Sequence, residues 1–147
     1  MKLWFNLLCR DIERQFEFYR RLLDLPEAVA SRSPIYRAIE TRDFQFGFNA
    51  TAAYGLLGIG DRAPAGGTGP APVIAYATLM LPDPAAVDAA CAAAPALGGR
   101  VVKGPFATYY GQWQAVLRDP EDNVFRVATA SLPAGVSAPP LPAAPAS

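Results

Sequence analysis

The chain contains no histidine. That absence removes the commonest transition-metal ligand and the usual general base near neutral pH, so any chemistry must run on Asp, Glu, Tyr, Lys or Cys. Cysteine is nearly absent too. Cys9 and Cys91 are the only two, far apart and without a Cys-x-x-Cys spacing, so neither a disulfide framework nor a thiolate zinc site is expected. Both read as buried small residues, and a reducing, cytoplasmic location fits. Charge of either sign is lacking in excess, with 13 Lys and Arg against 13 Asp and Glu, and the basic residues form no run longer than Arg20-Arg21. Nucleic acid is therefore not an expected partner. Long apolar runs are missing as well: the N-terminal run is broken by Asn6 and followed at once by Asp11, Glu13 and Arg14, unlike a membrane span or a signal peptide.

What is present is a single-domain length of 147 residues with ample apolar content. Leu3 to Cys9 reads as a short buried strand, and Asp11 can cap the helix that follows. In that helix Ile12, Phe16, Tyr19, Leu22 and Leu23 recur at three- and four-residue spacing, and it should end near Leu25. Pro26 to Ser33 is expected to hold a short, irregular strand. Ile35 to Glu40 and Phe44 to Asn49 predict a hairpin whose Phe44, Phe46, Phe48 face is the core face. Residues 51–71, rich in Ala, Gly and Pro, read as a connection, with one helical turn around Ala53 to Leu57.

The first pattern then returns. Pro72 to Leu81 reads as a strand, Asp83 as a cap, Ala85 to Ala94 as a helix of small residues, and Arg100 to Lys103 as a short strand. A hairpin follows, from Gln112 to Leu117 and Val124 to Val127, across Asp119-Pro-Glu-Asp-Asn123, where Pro120 fixes one angle and Asp122 or Asn123 can turn left-handed. Residues 131–147, rich in Pro and Ala, carry no core-forming period and are expected to be disordered or loosely laid on the surface. Setting Asp11 on Asp83 superposes Trp4 on Tyr76 and Leu25 on Leu97 without gaps. Two readings stand here: an internal duplication of strand, helix and three strands, or an ordinary α+β domain with two similar helix starts.

The paired modules, Phe18-Tyr-Arg-Arg-Leu-Leu-Asp-Leu25 after Asp11, Gly98-Gly99, and Tyr110-Gly111 leading to Arg118-Asp-Pro-Glu-Asp-Asn-Val-Phe-Arg126 together resemble the vicinal oxygen chelate superfamily. It includes glyoxalase I, bleomycin-resistance proteins and extradiol dioxygenases. The resemblance covers about residues 3 to 129. It implies an α+β fold of two βαβββ modules (1–50 and 72–130, one domain over 1–130), each curling a small sheet into a cup with helices outside, and a homodimer.

The resemblance also implies where a metal would be held: a His or Gln seven residues before each capping Asp, and a Glu on the last strand of each module. Trp4 and Tyr76 stand at the first pair of places, Gly47 and Arg126 at about the second. None is a fitting donor for a divalent ion, so no metal and no cofactor are expected. Two aromatic faces and a planar cation suit instead a flat or carbonyl-bearing small molecule. Strand alternation adds Asn6, Asn49 and Thr78 to the ligand-facing set, with Met80 and Gln45 of the same parity; Trp113 is assigned to the helix side, which leaves Gln112 and Gln114 for the ligand. Against this, Trp4 can simply fill space, and Arg126 can pair with Glu40 or Asp43 or point outward. Tyr109 and Tyr110 suit either the mouth of a site or plain edge packing.

Three functions follow. The first is a metal-free binding protein of the bleomycin-resistance type. The second is a metal-free lyase or isomerase, with Arg126 as electrophile and Tyr76 or a carboxylate moving a proton. The third is a degenerate dimerisation module whose cavity its own side chains fill. Binding is favoured because no acid and base pair can be placed together.

Overall fold

Asp11 and Asp83 start two helices in the same way. Each is extended, and each side chain accepts a hydrogen bond from the backbone N–H three residues on, at Arg14 (3.0 Å) and Ala86 (2.8 Å). A computed structural model of the chain describes residues 2–64, 73 and 75–141. The start of the second strand region at Pro72, most of the connection's second half, and the last six tail residues lie outside the described residues. The chain divides into two compact units, Met1–Pro72 with Pro120–Asp122, and Val73–Asp119 with Asn123–Ser147.

In the first unit, β1 (Leu3–Cys9) pairs in parallel with β3 (Phe44–Ala50), and β3 pairs antiparallel with β2 (Tyr36–Glu40), giving the order β1-β3-β2. Helix α1 (Ile12–Leu23) lies on the phenylalanine face, where Tyr19 contacts Phe46 and Phe48 at ring separations of 4.8 and 5.5 Å. It ends at Asp24, in the left-handed conformation, a residue before the expected Leu25. The place of the strand expected over Pro26 to Ser33 is taken by a 3-10 turn, Val29–Ser31, flanked by single bridges Glu27↔Ile39 and Ser33↔Tyr36. A short turn, α2 (Ala53–Leu56), follows β3.

The second unit carries the full repeat. The order β4-β7-β6-β5 is formed by β4 (Ala77–Met80), β5 (Arg100–Ala107), β6 (Trp113–Arg118) and β7 (Val124–Thr129), with α3 (Pro84–Ala93) on one face. Asp122 is the left-handed residue of the β6–β7 turn, and the Asp119 carboxylate accepts from the Asn123 backbone N–H at 3.0 Å. Trp113 fills the volume beside the small-residue helix, its indole N–H donating to Asp88 Oδ1 at 2.7 Å. Burial, and then the Asp88 charge, push the Cys91 thiol up, as suits an inert buried cysteine.

The two registers match residue for residue: Asn6 pairs with Gly47 as Thr78 pairs with Arg126. The duplication thus reaches the pairing register, and Gly47 and Arg126 are equivalent positions.

Two differences have physical reasons. Strand β5 runs to Ala107, past the expected Lys103, because it is an edge strand: Pro105 forfeits no ladder bond there, and register shifts around Lys103 absorb the Gly104-Pro105 step. Strand β1 is buried only toward its C-terminal end, where Cys9 is fully buried, and not along its length as expected. It too is an edge, and Leu3, Trp4 and Phe5 are 61, 58 and 39% exposed. Among the described residues no helix is long and apolar enough to cross a membrane.

Gln15 of α1 is fully buried, and neither its amide oxygen nor its nitrogen has a hydrogen-bond partner among the described residues. An unmet buried amide costs about 1–3 kcal/mol. Gln15→Met, which keeps the volume and removes both polar atoms, is therefore expected to raise stability by about 1 kcal/mol in thermal denaturation. An unchanged or lowered midpoint would show that the amide is satisfied in solution.

Candidate functional site

On each sheet the face opposite the helix mixes polar and apolar side chains, and most of the residues singled out by strand alternation, Gln112 excepted, fall there. In the second unit they converge on Arg126. Its Nε donates to Thr78 Oγ1 at 3.0 Å, its cross-strand neighbour, and Nη1 donates to the Tyr110 hydroxyl at 3.0 Å. Tyr110 in turn donates to Gln114 Oε1 at 3.1 Å, so the direction of its O–H is fixed. The Arg126 guanidinium carbon lies 5.5 Å from the centre of the Tyr76 ring. All these partners are neutral. Among the described residues no carboxylate lies within salt-bridge distance of Arg126; Glu40, in the first unit, is bonded to Lys2 and accepts from Gln45 Nε2 at 3.3 Å.

Position on the strand explains the cluster. Thr78 and Arg126 pair across β4 and β7, and Val116 continues the row on β6, so one face of the sheet receives all three. Gln114 lies on that face, beside Phe106 of β5. Gln112 does not reach β6. It stands in the turn before it, where its backbone N–H donates to Thr108 Oγ1 at 2.9 Å and its carbonyl accepts from Thr108 N at 2.9 Å.

The first unit builds a different set around Gly47. The Tyr36 hydroxyl is 2.9 Å from Gln45 Oε1 and 3.3 Å from Asn6 Oδ1, while Asn49 Nδ2 is 3.5 Å from the same Asn6 oxygen. Burial, and then the Glu40 charge, raise the pKa of Tyr36, which keeps its phenol a donor. The bonded ammonium of Lys2 holds Glu40 below the usual carboxylate range.

A Cβ on Gly47 would clash with Asn6 Oδ1 and the Tyr36 hydroxyl and lie 2.6 Å from Tyr36 Cε2. The glycine is thus a close-approach position that lets two side chains lie over the strand. Gly47→Ala is expected to displace both and cost about 1–2 kcal/mol, since the atoms met are ends of side chains rather than backbone. Urea titration reads this directly, and a change under about 0.5 kcal/mol, the scale of an ordinary surface substitution, would contradict it.

Tyr36 is the residue that strand reasoning missed. It opens β2, where the boundary was placed one residue early, and the signal available was Gly47 itself, a glycine inside an otherwise aromatic strand. Tyr110, which by sequence suits either the mouth of a site or edge packing, joins the cluster through its bond to Arg126. Of the expected set, Trp4, Asn6, Gly47 and Asn49 belong to the first unit, and Tyr76, Thr78, Gln112, Gln114 and Arg126 to the second.

The donors at the duplicated positions do not fit a divalent transition metal. Trp4 and Gly47 offer no lone pair, Tyr76 offers a neutral phenol, and Arg126 a cation. Among the described residues no three His, Cys, Asp or Glu side chains come together as a metal-holding group.

A duplicated strand-helix-strand unit whose sheet faces opposite the helices carry the candidate polar residues defines the class. Residues 3–127 match the model of the Glyoxalase/Bleomycin resistance protein/Dioxygenase superfamily, and the chain belongs to that family. A glyoxalase/bleomycin resistance protein/dioxygenase family enzyme from Burkholderia phytofirmans PsJN is 34% identical, with a TM-score of 0.76 over 86% of this chain and 96% of its own. A glyoxalase-related enzyme from Fulvimarina pelagi (16% identity, TM-score 0.67, 88% of this chain and 87% of its own) has the same fold. So does a lactoylglutathione lyase from Agrobacterium tumefaciens (19% identity, TM-score 0.61, 88% and 92%). No curated protein sequence matches the chain significantly.

Proposed function

We propose that this protein is a metal-independent member of its family that binds a flat or carbonyl-bearing small molecule, with Arg126 as the anchor. The observation that carries the reading is the guanidinium itself, held by two neutral hydroxyls and facing an aromatic ring. A cation fixed in position by neutral groups keeps its charge for an incoming oxygen, and its planar fork offers further N–H groups beyond those two bonds. Tyr76, which is largely exposed, supplies a face on which a flat ligand can stack.

The donor set argues for metal independence. A guanidinium at the place of a metal-binding carboxylate repels a divalent ion and attracts the carbonyl that the ion would have polarised. Binding fits better than catalysis because, among the described residues, no carboxylate is hydrogen-bonded into the Arg126 cluster, and Glu40 is engaged by Lys2 in the first unit.

The working form is a homodimer on this reading, because β1 presents an edge with Leu3, Trp4 and Phe5 exposed. Leu3→Lys is expected to shift the dimer toward monomer in sedimentation at micromolar concentration; a wild type already monomeric there would refute the dimer.

A thermal-shift screen of flat carbonyl compounds tests the site. Ligands should stabilise the wild type and lose most of that shift in Arg126→Ala. Equal stabilisation of both proteins would remove Arg126 from the site.

A further inference from the structure

We propose that the ligand is an aromatic acid, and that it is held in a slot whose outer wall is the C-terminal tail. The proposal rests on the reading of Arg126 given above and narrows it to a chemical class. An open groove of about 340 Å³ lies beside the Arg126 cluster, lined by Lys103 and Phe106 of β5, Tyr109 and Tyr110 of the turn after it, Gln114 of β6, and Pro139 with Pro140 of the tail. Tyr110 and Gln114 are shared with the cluster, so the groove opens onto the same hydrogen-bond chain that orients Arg126.

Three features of the lining select the ligand. The lining is aromatic and apolar: the Tyr109 and Tyr110 rings meet edge to face at 4.9 Å, and a Pro-Pro step adds a rigid apolar surface without donors. Charge of one sign only is present. Lys103 is the single ionised residue of the lining; its Nζ sits 3.7 Å from the centre of the Phe106 ring, and no carboxylate within salt-bridge distance pairs with it or with Arg126 among the described residues. The volume is at the small end of the range for ligand sites, about 300–1,000 Å³, and suits one or two fused rings. A ring laid against these aromatic and proline surfaces, with its acidic group toward Lys103, meets all three.

The register shifts of β5 make this possible. They bring Lys103 and Phe106, three residues apart, opposite Val116 and Gln114 on one face of the sheet, where regular alternation would put them on opposite faces. The Gly104-Pro105 step is what permits the irregularity. The tail, expected from composition to be disordered or loosely laid on the surface, is given a use through Pro139 and Pro140, which lie exposed beside the groove.

Calorimetric titration of the full-length chain with benzoate, benzamide and cyclohexanecarboxylate tests the class. Benzoate should bind about tenfold more tightly than the uncharged amide and several-fold more tightly than the non-planar acid, the scale expected of one charge-assisted contact and one stacked ring. Lys103→Gln should weaken benzoate about tenfold and leave benzamide unchanged, and Pro139→Gly with Pro140→Gly should weaken both ring compounds several-fold. Arg126→Ala serves as the separate control. If it weakens benzoate while the Lys103 and proline variants bind as the wild type does, the slot is refuted and the Arg126 reading survives. If the Lys103 and proline variants weaken benzoate and Arg126→Ala does not, the slot stands without that anchor. Failure of benzoate to bind the wild type, or equal binding of benzamide, would overturn the aromatic-acid assignment and leave the thermal-shift screen to decide the broader reading.

Discussion

Arg37→Ala is expected to destabilise the protein by about 3 kcal/mol, the largest single-residue stability loss we anticipate outside the aromatic core. Arg37 stands on the helix-facing side of β2, opposite Phe48, and is only 5% exposed. Its guanidinium lies 3.9 Å from the centre of the Phe16 ring, its Nε donates to Glu27 Oε1 at 2.6 Å, and Nη1 is bonded to Glu13. Burial opposes the charge, but the two bonded carboxylates outweigh it and raise the pKa, so the ion is present throughout the accessible pH range.

Truncation removes the packing beneath α1 and leaves the largely buried Glu27 without its closest cation. Arg37→Met should be milder, near 1 kcal/mol, because it keeps the volume under the helix; Glu13→Gln should be milder still, since Glu13 is mostly exposed. Chemical denaturation of the three variants checks the order. Equal losses for Arg37→Ala and Arg37→Met would mean that packing contributes nothing, and negligible losses for both would mean that the ion pairs form only weakly in solution.

Reversing the charge at Arg126 should have the largest effect on binding. In Arg126→Glu the affinity for an acidic or carbonyl-bearing ligand is expected to fall by two orders of magnitude or more, as an attractive charge-assisted contact becomes a repulsion in a partly enclosed site. The fold should survive, because Thr78 and Tyr110 are hydroxyls and can donate to a carboxylate as readily as they accept from a guanidinium. Folded protein with lost binding is therefore the expected pair of results, read by circular dichroism and calorimetry on one sample. A variant that still binds would place the ligand elsewhere, and one that unfolds would make Arg126 a structural residue.

The parts of this structure that sequence reasoning reached are those written in local chemistry. Asp11 and Asp83 cap helices because an extended Asp can accept from the first-turn amides, and Asp122 turns left-handed because Asp tolerates that conformation. The matched spacing of the two caps then carried the duplication, which the strand registers repeat.

What escaped depends on contacts distant in sequence or on position within a sheet. The ion cluster of Arg37 joins residues from a helix, a loop and a strand, and alternation expects an apolar residue where Arg37 stands. Whether β1 is covered depends on its being an edge, which its apolar run does not reveal. The extension of β5 was hidden by Gly104-Pro105, a breaker in most settings and harmless on an edge. The alignment of Tyr110 with Arg126 required the turn between β5 and β6 to be known in three dimensions.

The proposal that Arg126 stands where a metal ligand would and contacts the ligand directly is tested most directly by native mass spectrometry, with elemental analysis, of protein purified without chelators and exposed to nickel, zinc, iron and manganese. The expected result is a dimer mass with no stoichiometric divalent ion, unchanged in Arg126→Ala. One ion retained per chain, and lost when Tyr76 or Arg126 is substituted, would contradict it.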